Sequence, residues 1–132
     1  MDYKKLLYLS LVVLLAACNM KPVDSFKEFS VKLVIDYGNL RETKESIITT
    51  RRQLTALEAL QHASKVETHP VGNHVFVCSI DSVRNIRSVK AWYYRVNGKP
   101  PGILAINNKI NNGDTVRWVY KKDVCSSKIK QE

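Results

Sequence analysis

The sequence predicts an α+β fold, a β-grasp-like mixed sheet of about five strands with one helix packed across it. Short runs in which apolar and polar residues alternate give the period of two that a half-buried strand requires. A single segment, beginning at Thr55, carries the spacing of a helix. Turn residues such as Asn97-Gly98 and Asn112-Gly113-Asp114 separate the runs. The resulting order is strand, strand, helix, strand, strand, strand. One short helix cannot build a bundle, so it must lie across a sheet.

The totals set bounds on this reading. The 132 residues, with 45% hydrophobic and 25% charged content, suit one soluble globular domain and exclude a disordered chain or one embedded in a membrane along its length. Lys and Arg number 21 against 12 Asp and Glu, a net charge of +9. Without residues 1–17, which hold Lys4, Lys5 and Asp2, the count is 19 against 11, or +8. Such a chain suits anionic partners, among them anionic lipid, acidic polymers and nucleic acid.

Met1 to Ala17 opens with Lys4 and Lys5 and continues as an apolar run from Leu6. Twelve helical residues rise about 18 Å, short of the roughly 30 Å hydrocarbon core, so the segment predicts a signal peptide and not a span. Its end, Leu15-Ala16-Ala17-Cys18, resembles the lipobox of bacterial lipoproteins. In that motif two small residues fit a peptidase, and the Cys thiol takes a diacylglycerol and becomes the mature N-terminus. The acyl chains, palmitate among them, would hold the protein at a membrane surface. Asn19 follows and not Asp. In an enteric-type envelope this implies the outer membrane, facing the periplasm or the surface. Residues 18–28 are expected to form a tether, 29–123 the folded domain and 124–132 a tail.

Within the domain, Phe29, Val31, Leu33, Ile35 and Tyr37 alternate with polar neighbours and predict the first strand, ended by Gly38-Asn39. Glu45 to Arg52 is short and β-branched, the expected second arm of a hairpin. Thr55-Ala56-Leu57-Glu58 matches a capping box and starts a helix expected to reach about Ser64, with Leu57 and Leu60 on its apolar stripe. His69-Pro70-Val71-Gly72-Asn73 is predicted as loop. Val75 to Ile80 is the third strand, followed by Asp81-Ser82-Val83 and a basic linker from Arg84 to Lys90. Trp92 to Val96 is the fourth, closed by Asn97-Gly98, whose residues accept positive φ. Thr115 to Tyr120 is the last, with Val116, Trp118 and Tyr120 on one face.

Four pieces taken in order carry a resemblance: Thr55-Ala56-Leu57-Glu58-Ala59-Leu60, Ile80-Asp81-Ser82-Val83, Trp92-Tyr93-Tyr94-Arg95-Val96-Asn97-Gly98-Lys99-Pro100, and Gly113-Asp114-Thr115-Val116-Arg117-Trp118-Val119-Tyr120. Together they look like a bacterial domain-of-unknown-function family similar to the C-terminal domain of transcobalamin and intrinsic factor. The match spans roughly Phe29 to Lys121. The resemblance implies a β-grasp-like fold, often on secreted or surface-anchored proteins. The eukaryotic relatives use the domain as one of two that enclose cobalamin, so a ligand-binding role is implied, with cobalamin as one possible ligand.

The candidate residues fall into three groups. Cys78 and Cys125 remain once Cys18 is lipidated, and in an envelope compartment they are expected to pair as a disulfide. Closing about 47 residues would stabilise by roughly 4 kcal/mol in the loop-entropy account. The alternative is a buried Cys78 beside a free Cys125. Trp92, Tyr94, Trp118 and Tyr120 are either a stacking platform or, in phase with Val96 and Val116, core. Lys32, Tyr93, Arg95 and Arg117 share the sheet face away from the helix. They are either a solvated face or a site for an anionic ligand, because Arg forks match carboxylate and phosphate. His62, His69 and His74 straddle a helix end and a loop without acidic or Cys neighbours at ligand spacing, so no metal site is expected.

No nucleophile elbow, phosphate-cradling loop, HExxH or CxxC occurs, so neither an enzyme nor a cofactor is expected. Three functions remain. The first is a non-catalytic binding module for a small or anionic ligand on a lipid-anchored envelope protein. The second is a structural or protein-partner domain of an envelope assembly. The third, polyanion or DNA capture at the cell surface, rests on charge alone.

Overall fold

The structure, a computed structural model, describes residues 27–124 together with Tyr3. The expected signal segment, the Cys18 lipidation site and Cys125 lie outside the described residues. Among the described residues no helix is long and apolar enough to cross a membrane.

The elements run β1 (Phe29–Asp36), β2 (Lys44–Thr50), α1 (Ala56–Ala63), β3 (Val66–Val71), β4 (His74–Ile80), β5 (Val83–Arg84), β6 (Lys90–Val96) and β7 (Thr115–Lys122). The α+β class is as expected, and among residues 27–124 there is one helix. The strands, however, divide between two sheets, one of four in the order β2-β1-β7-β6 and one of three in the order β3-β4-β5. β1 pairs antiparallel with β2 and parallel with β7, which makes the larger sheet mixed. β1 sits centrally, and Leu33, Val34 and Ile35 are buried in succession, while Lys32 and Asp36 on the face away from α1 are half-buried.

The expected loop at His69-Pro70-Val71 is in fact strand β3. It escapes detection because Pro70 reads as a breaker. β3 is the edge of its sheet, where the missing proline N–H need cost no ladder bond. Gly72, at φ +58, turns the chain into β4. Part of the expected basic linker is also ordered: Ser79 and Ile80 pair with Arg84 and Val83 across a two-residue turn in which Asp81 and Ser82 both take positive φ.

The helix begins as its sequence requires. The Thr55 hydroxyl accepts from Glu58 N at 3.1 Å and the Glu58 carboxylate accepts from Thr55 N at 2.8 Å. The next two free N–H groups are used as well, since Ala56 N donates to Asn108 O at 2.9 Å and Leu57 N to Ala105 O at 3.1 Å. The 101–110 loop is thereby fixed to the start of α1. Leu57 and Leu60 face inward and join Val31, Leu33, Ile35, Val116 and Trp118 in one core.

Polar tips of buried aromatics tie the small sheet to the large one. The Trp92 indole Nε1 donates to Val83 O at 2.7 Å, and the Tyr120 hydroxyl to Arg84 O at 2.7 Å. The Tyr37 hydroxyl donates to Asp81, whose carboxylate also accepts from Lys65 N at 3.0 Å and lies 3.5 Å from the Lys44 ammonium. Burial alone would push the Asp81 carboxyl up. The donors from Tyr37 and Lys65 and the Lys44 charge outweigh it and hold the group below the ordinary carboxylate value.

Candidate functional site

Two surfaces compete as a site. The first is the sheet face away from α1. The register places Arg95 opposite Arg117, and Arg117 opposite Val34, so Lys32, Tyr93, Arg95 and Arg117 do share that face. Each already has a partner. Lys32 pairs with Glu45 at 3.1 Å and Arg117 with Asp36 at 3.0 Å. Arg95 donates to Gly98 O at 3.3 Å. The Tyr93 hydroxyl donates to Asp123 at 3.3 Å and accepts from Val124 N at 3.1 Å, while Lys121 lies over its ring at 5.0 Å. The Asp36 carboxyl is held below its ordinary value, first by the Gly38 N–H and then by Arg117. This face is a mosaic of satisfied charges.

The second surface is a cleft of about 1190 Å³ between the two sheets. One wall is the β3–β4 hairpin, with Val71, His74 and Phe76. The opposite wall is the loop from Pro101 to Asn107, with Ile103 and Ile106. Along the floor run Ala91 to Tyr94 of β6 and Trp118 of β7. Large apolar side chains stand open on both lips: Val71 is 54% exposed, Phe76 44%, Ile103 48% and Ile106 37%. An apolar patch left open on a folded domain commonly marks a binding surface.

The floor is built by the aromatics. Tyr94 stacks on Trp118 with centroids 5.0 Å apart and planes at 23°. The Tyr94 hydroxyl donates to Ile103 O at 2.6 Å and accepts from Asn108 at 3.3 Å, fixing the loop wall to the sheet. Burial raises the pKa of this phenol, so it stays a neutral donor. Trp118 is 3% exposed, and its indole Nε1 is a buried donor without an acceptor among the described residues. Trp92 and Tyr120 belong to the core, with centroids 5.1 Å apart. Of the two alternatives for the four aromatics, Trp92, Trp118 and Tyr120 take the core one, whereas half-buried Tyr94 sits at the boundary with the cleft.

His69 and His74 reach the cleft mouth, and His62 lies on α1. Among the described residues no group of three or more His, Cys, Asp or Glu could hold a metal ion. Cys78 lies in the cleft wall with its thiol 3.2 Å from Glu67 O. The apolar lips escape a sequence reading. Val75-Phe76-Val77 is apolar on both faces and hides which side is open, and Ile103 and Ile106 sit in an Asn-rich loop without periodicity. The only signal is that a loop meant for water should not carry Ile103, Leu104 and Ile106 together.

Comparison with solved structures supports the same fold. A protein from Ruminococcus gnavus ATCC 29149, provisionally described as metal-binding, superposes with a TM-score of 0.59 at 14% identity, over 72% of this chain and 98% of that one. Haptocorrin in complex with Cbi superposes with a TM-score of 0.56 at 17% identity, over 74% of this chain but 26% of haptocorrin. At these identities the likeness concerns the fold. A sequence comparison with curated proteins gives no match. Residues 54–122, from Leu54 beside the helix cap to the end of β7, match the family described as a domain of unknown function, DUF4430. That segment is more than half of the 132 residues, and the chain belongs to the DUF4430 family.

Proposed function

We propose that this protein is a membrane-anchored envelope lipoprotein whose folded domain is a non-catalytic binding module, with the cleft between the two sheets as its ligand site. The observation that carries the reading is the pair of opposed apolar lips, Val71 and Phe76 against Ile103 and Ile106, left open over an aromatic floor. Haptocorrin, described in complex with Cbi, has a region of the same fold, which agrees with a binding role. The ligand is one with an apolar body that fits between the lips; cobalamin is one candidate. An anionic ligand on the opposite face would have to displace Glu45 from Lys32 and Asp36 from Arg117.

The cleft is tested by titrating anilinonaphthalene sulfonate, a fluorescent apolar probe, into the mature protein. Enhanced emission that falls in both Phe76→Ser and Ile103→Ser is expected. Equal emission from all three proteins would move the site elsewhere. The anchor rests on Leu15-Ala16-Ala17-Cys18, and the mass of the cell-derived protein reads it directly. A Cys18 N-terminus carrying acyl chains is expected, and cleavage at any other residue removes the lipoprotein reading. The Cys78–Cys125 disulfide belongs to the same proposal, and two free thiols in unreduced protein would exclude it.

A further inference from the structure

The floor of the cleft is also an open sheet edge. β6 ends the larger sheet, so among the described residues one side of its backbone has no neighbouring strand. Along that side Lys90 N donates to Ile86 O at 3.0 Å, Trp92 N to the Asn85 side chain at 2.9 Å and Val96 N to Lys99 O at 3.0 Å. Alternate residues of a strand point their main chain the same way, so Tyr94, between Trp92 and Val96, directs its N–H and C=O outward as well. Those two groups and the Trp92 C=O have no partner among the described residues, although every neighbouring donor on that edge does.

Across the cleft stands a second open edge. β4 has β3 on one side, and on the other its strand pairing is confined to Ser79 and Ile80. Where the two edges converge they are joined by one side chain. The Asn85 carboxamide accepts from Trp92 N at 2.9 Å and donates to Val77 O at 3.1 Å. An amide that accepts from one strand and donates to the next does what a peptide group of an intervening strand would do. Beyond Asn85 the edges continue without a bridge, under the apolar lips.

From this the geometry points to an extended peptide segment of a partner protein as the ligand of the cleft. The segment would add to β6 at Trp92 and Tyr94 and place apolar side chains at alternate positions against the aromatic floor and the lips. Main-chain bonds supply affinity in such a pairing, and the flanking pockets choose the side chains. A small planar ligand would use the floor but leave the acceptor, donor, acceptor series at Trp92 and Tyr94 unmade. The inference rests on the cleft being a binding site and specifies what it binds.

The test uses the mature protein with a blocked hexapeptide that alternates Val with Ser and Thr, followed by amide hydrogen exchange. Binding is expected to protect the Tyr94 amide selectively. N-methylation of the peptide's alternate amides should weaken binding about tenfold or more, because it deletes donors and keeps every side chain. Equal binding of the methylated peptide overturns the inference, as does peptide binding that leaves Tyr94 unprotected. If the fluorescent probe binds the cleft and no peptide does, the peptide assignment falls while the binding module stands. If neither binds, both fall. Protection of Tyr94 in the protein alone that rises with its concentration would also overturn the inference, in favour of edge pairing between two copies.

Discussion

The outer face of the four-stranded sheet and the cleft on its inner side are made by the same strands, yet they treat their conspicuous residues in opposite ways. Arg117 and Trp118 are neighbours on β7. Arg117 points outward and meets Asp36 at 3.0 Å, whereas Trp118 points inward, stacks on Tyr94 and keeps an indole N–H without an acceptor among the described residues. On the outer face the charges find protein partners, so a pattern that looks like an anion site is already neutralised. In the cleft the apolar and main-chain groups are the ones left over. A candidate site is therefore better identified by what lacks a partner than by which residue types are present.

The largest expected effect tests this contrast at adjacent positions. Trp118→Ala empties a buried aromatic position between helix and sheet and should lower stability by about 3–5 kcal/mol. Arg117→Ala removes one exposed ion pair and should change it by about 1 kcal/mol or less. Denaturant unfolding of the two variants decides the matter. A loss for Arg117→Ala as large as that for Trp118→Ala would mean that the outer face is structural in a way its exposure does not explain.

The contrast also shows what the sequence could reveal. Period-two alternation places Lys32, Arg95 and Arg117 on one face and Val116, Trp118 and Tyr120 on the other, and the structure agrees with both assignments. Capping chemistry places the start of α1 at Thr55, because side-chain and backbone donors there satisfy each other locally. Partnership is not local. Asp36 lies 81 residues from Arg117, and the Asp81 hub draws on Tyr37, Lys44 and Lys65. Strand β3 is hidden because Pro70 signals a break everywhere except at a sheet edge. The cleft is hidden because two sheets must converge before β6 has an edge to expose.

The next effect concerns how the two walls are held together. Asp81 sits in the β4–β5 turn and gathers the Tyr37 hydroxyl, Lys65 N–H and Lys44 ammonium, joining the large sheet to the hairpin. Its folded-state pKa lies below the ordinary carboxylate value, so its contribution is complete at neutral pH and is lost as pH falls through the acidic range toward the lowered value. Asp81→Asn should cost about 1–3 kcal/mol at neutral pH and flatten the acid limb of the stability profile. Tyr37→Phe should reproduce part of that loss, since it removes one donor and keeps the buried ring. An unchanged acid limb in Asp81→Asn would assign the acid sensitivity to other carboxylates, Asp36 and Glu58 among them, whose values are also lowered.

The smallest expected effect is the sharpest check on the outer face. Lys32 and Glu45 are about half exposed, at 43% and 59% for their side chains, and meet at 3.1 Å across β1 and β2. Solvent and mobile ions screen such a pair, so a double-mutant cycle through Lys32→Ala and Glu45→Ala should give a coupling of about 0.5 kcal/mol that shrinks as salt is raised. If the face were instead built to receive an anion, Glu45 would be an obstacle and not a partner. Its removal would then create measurable phosphate or carboxylate affinity on Lys32, Arg95 and Arg117. Calorimetry of Glu45→Ala with inorganic phosphate separates the two cases. Silence is expected, because Asp36 still occupies Arg117 and Gly98 O still engages Arg95, leaving one lysine, and a single exposed lysine does not make an anion site.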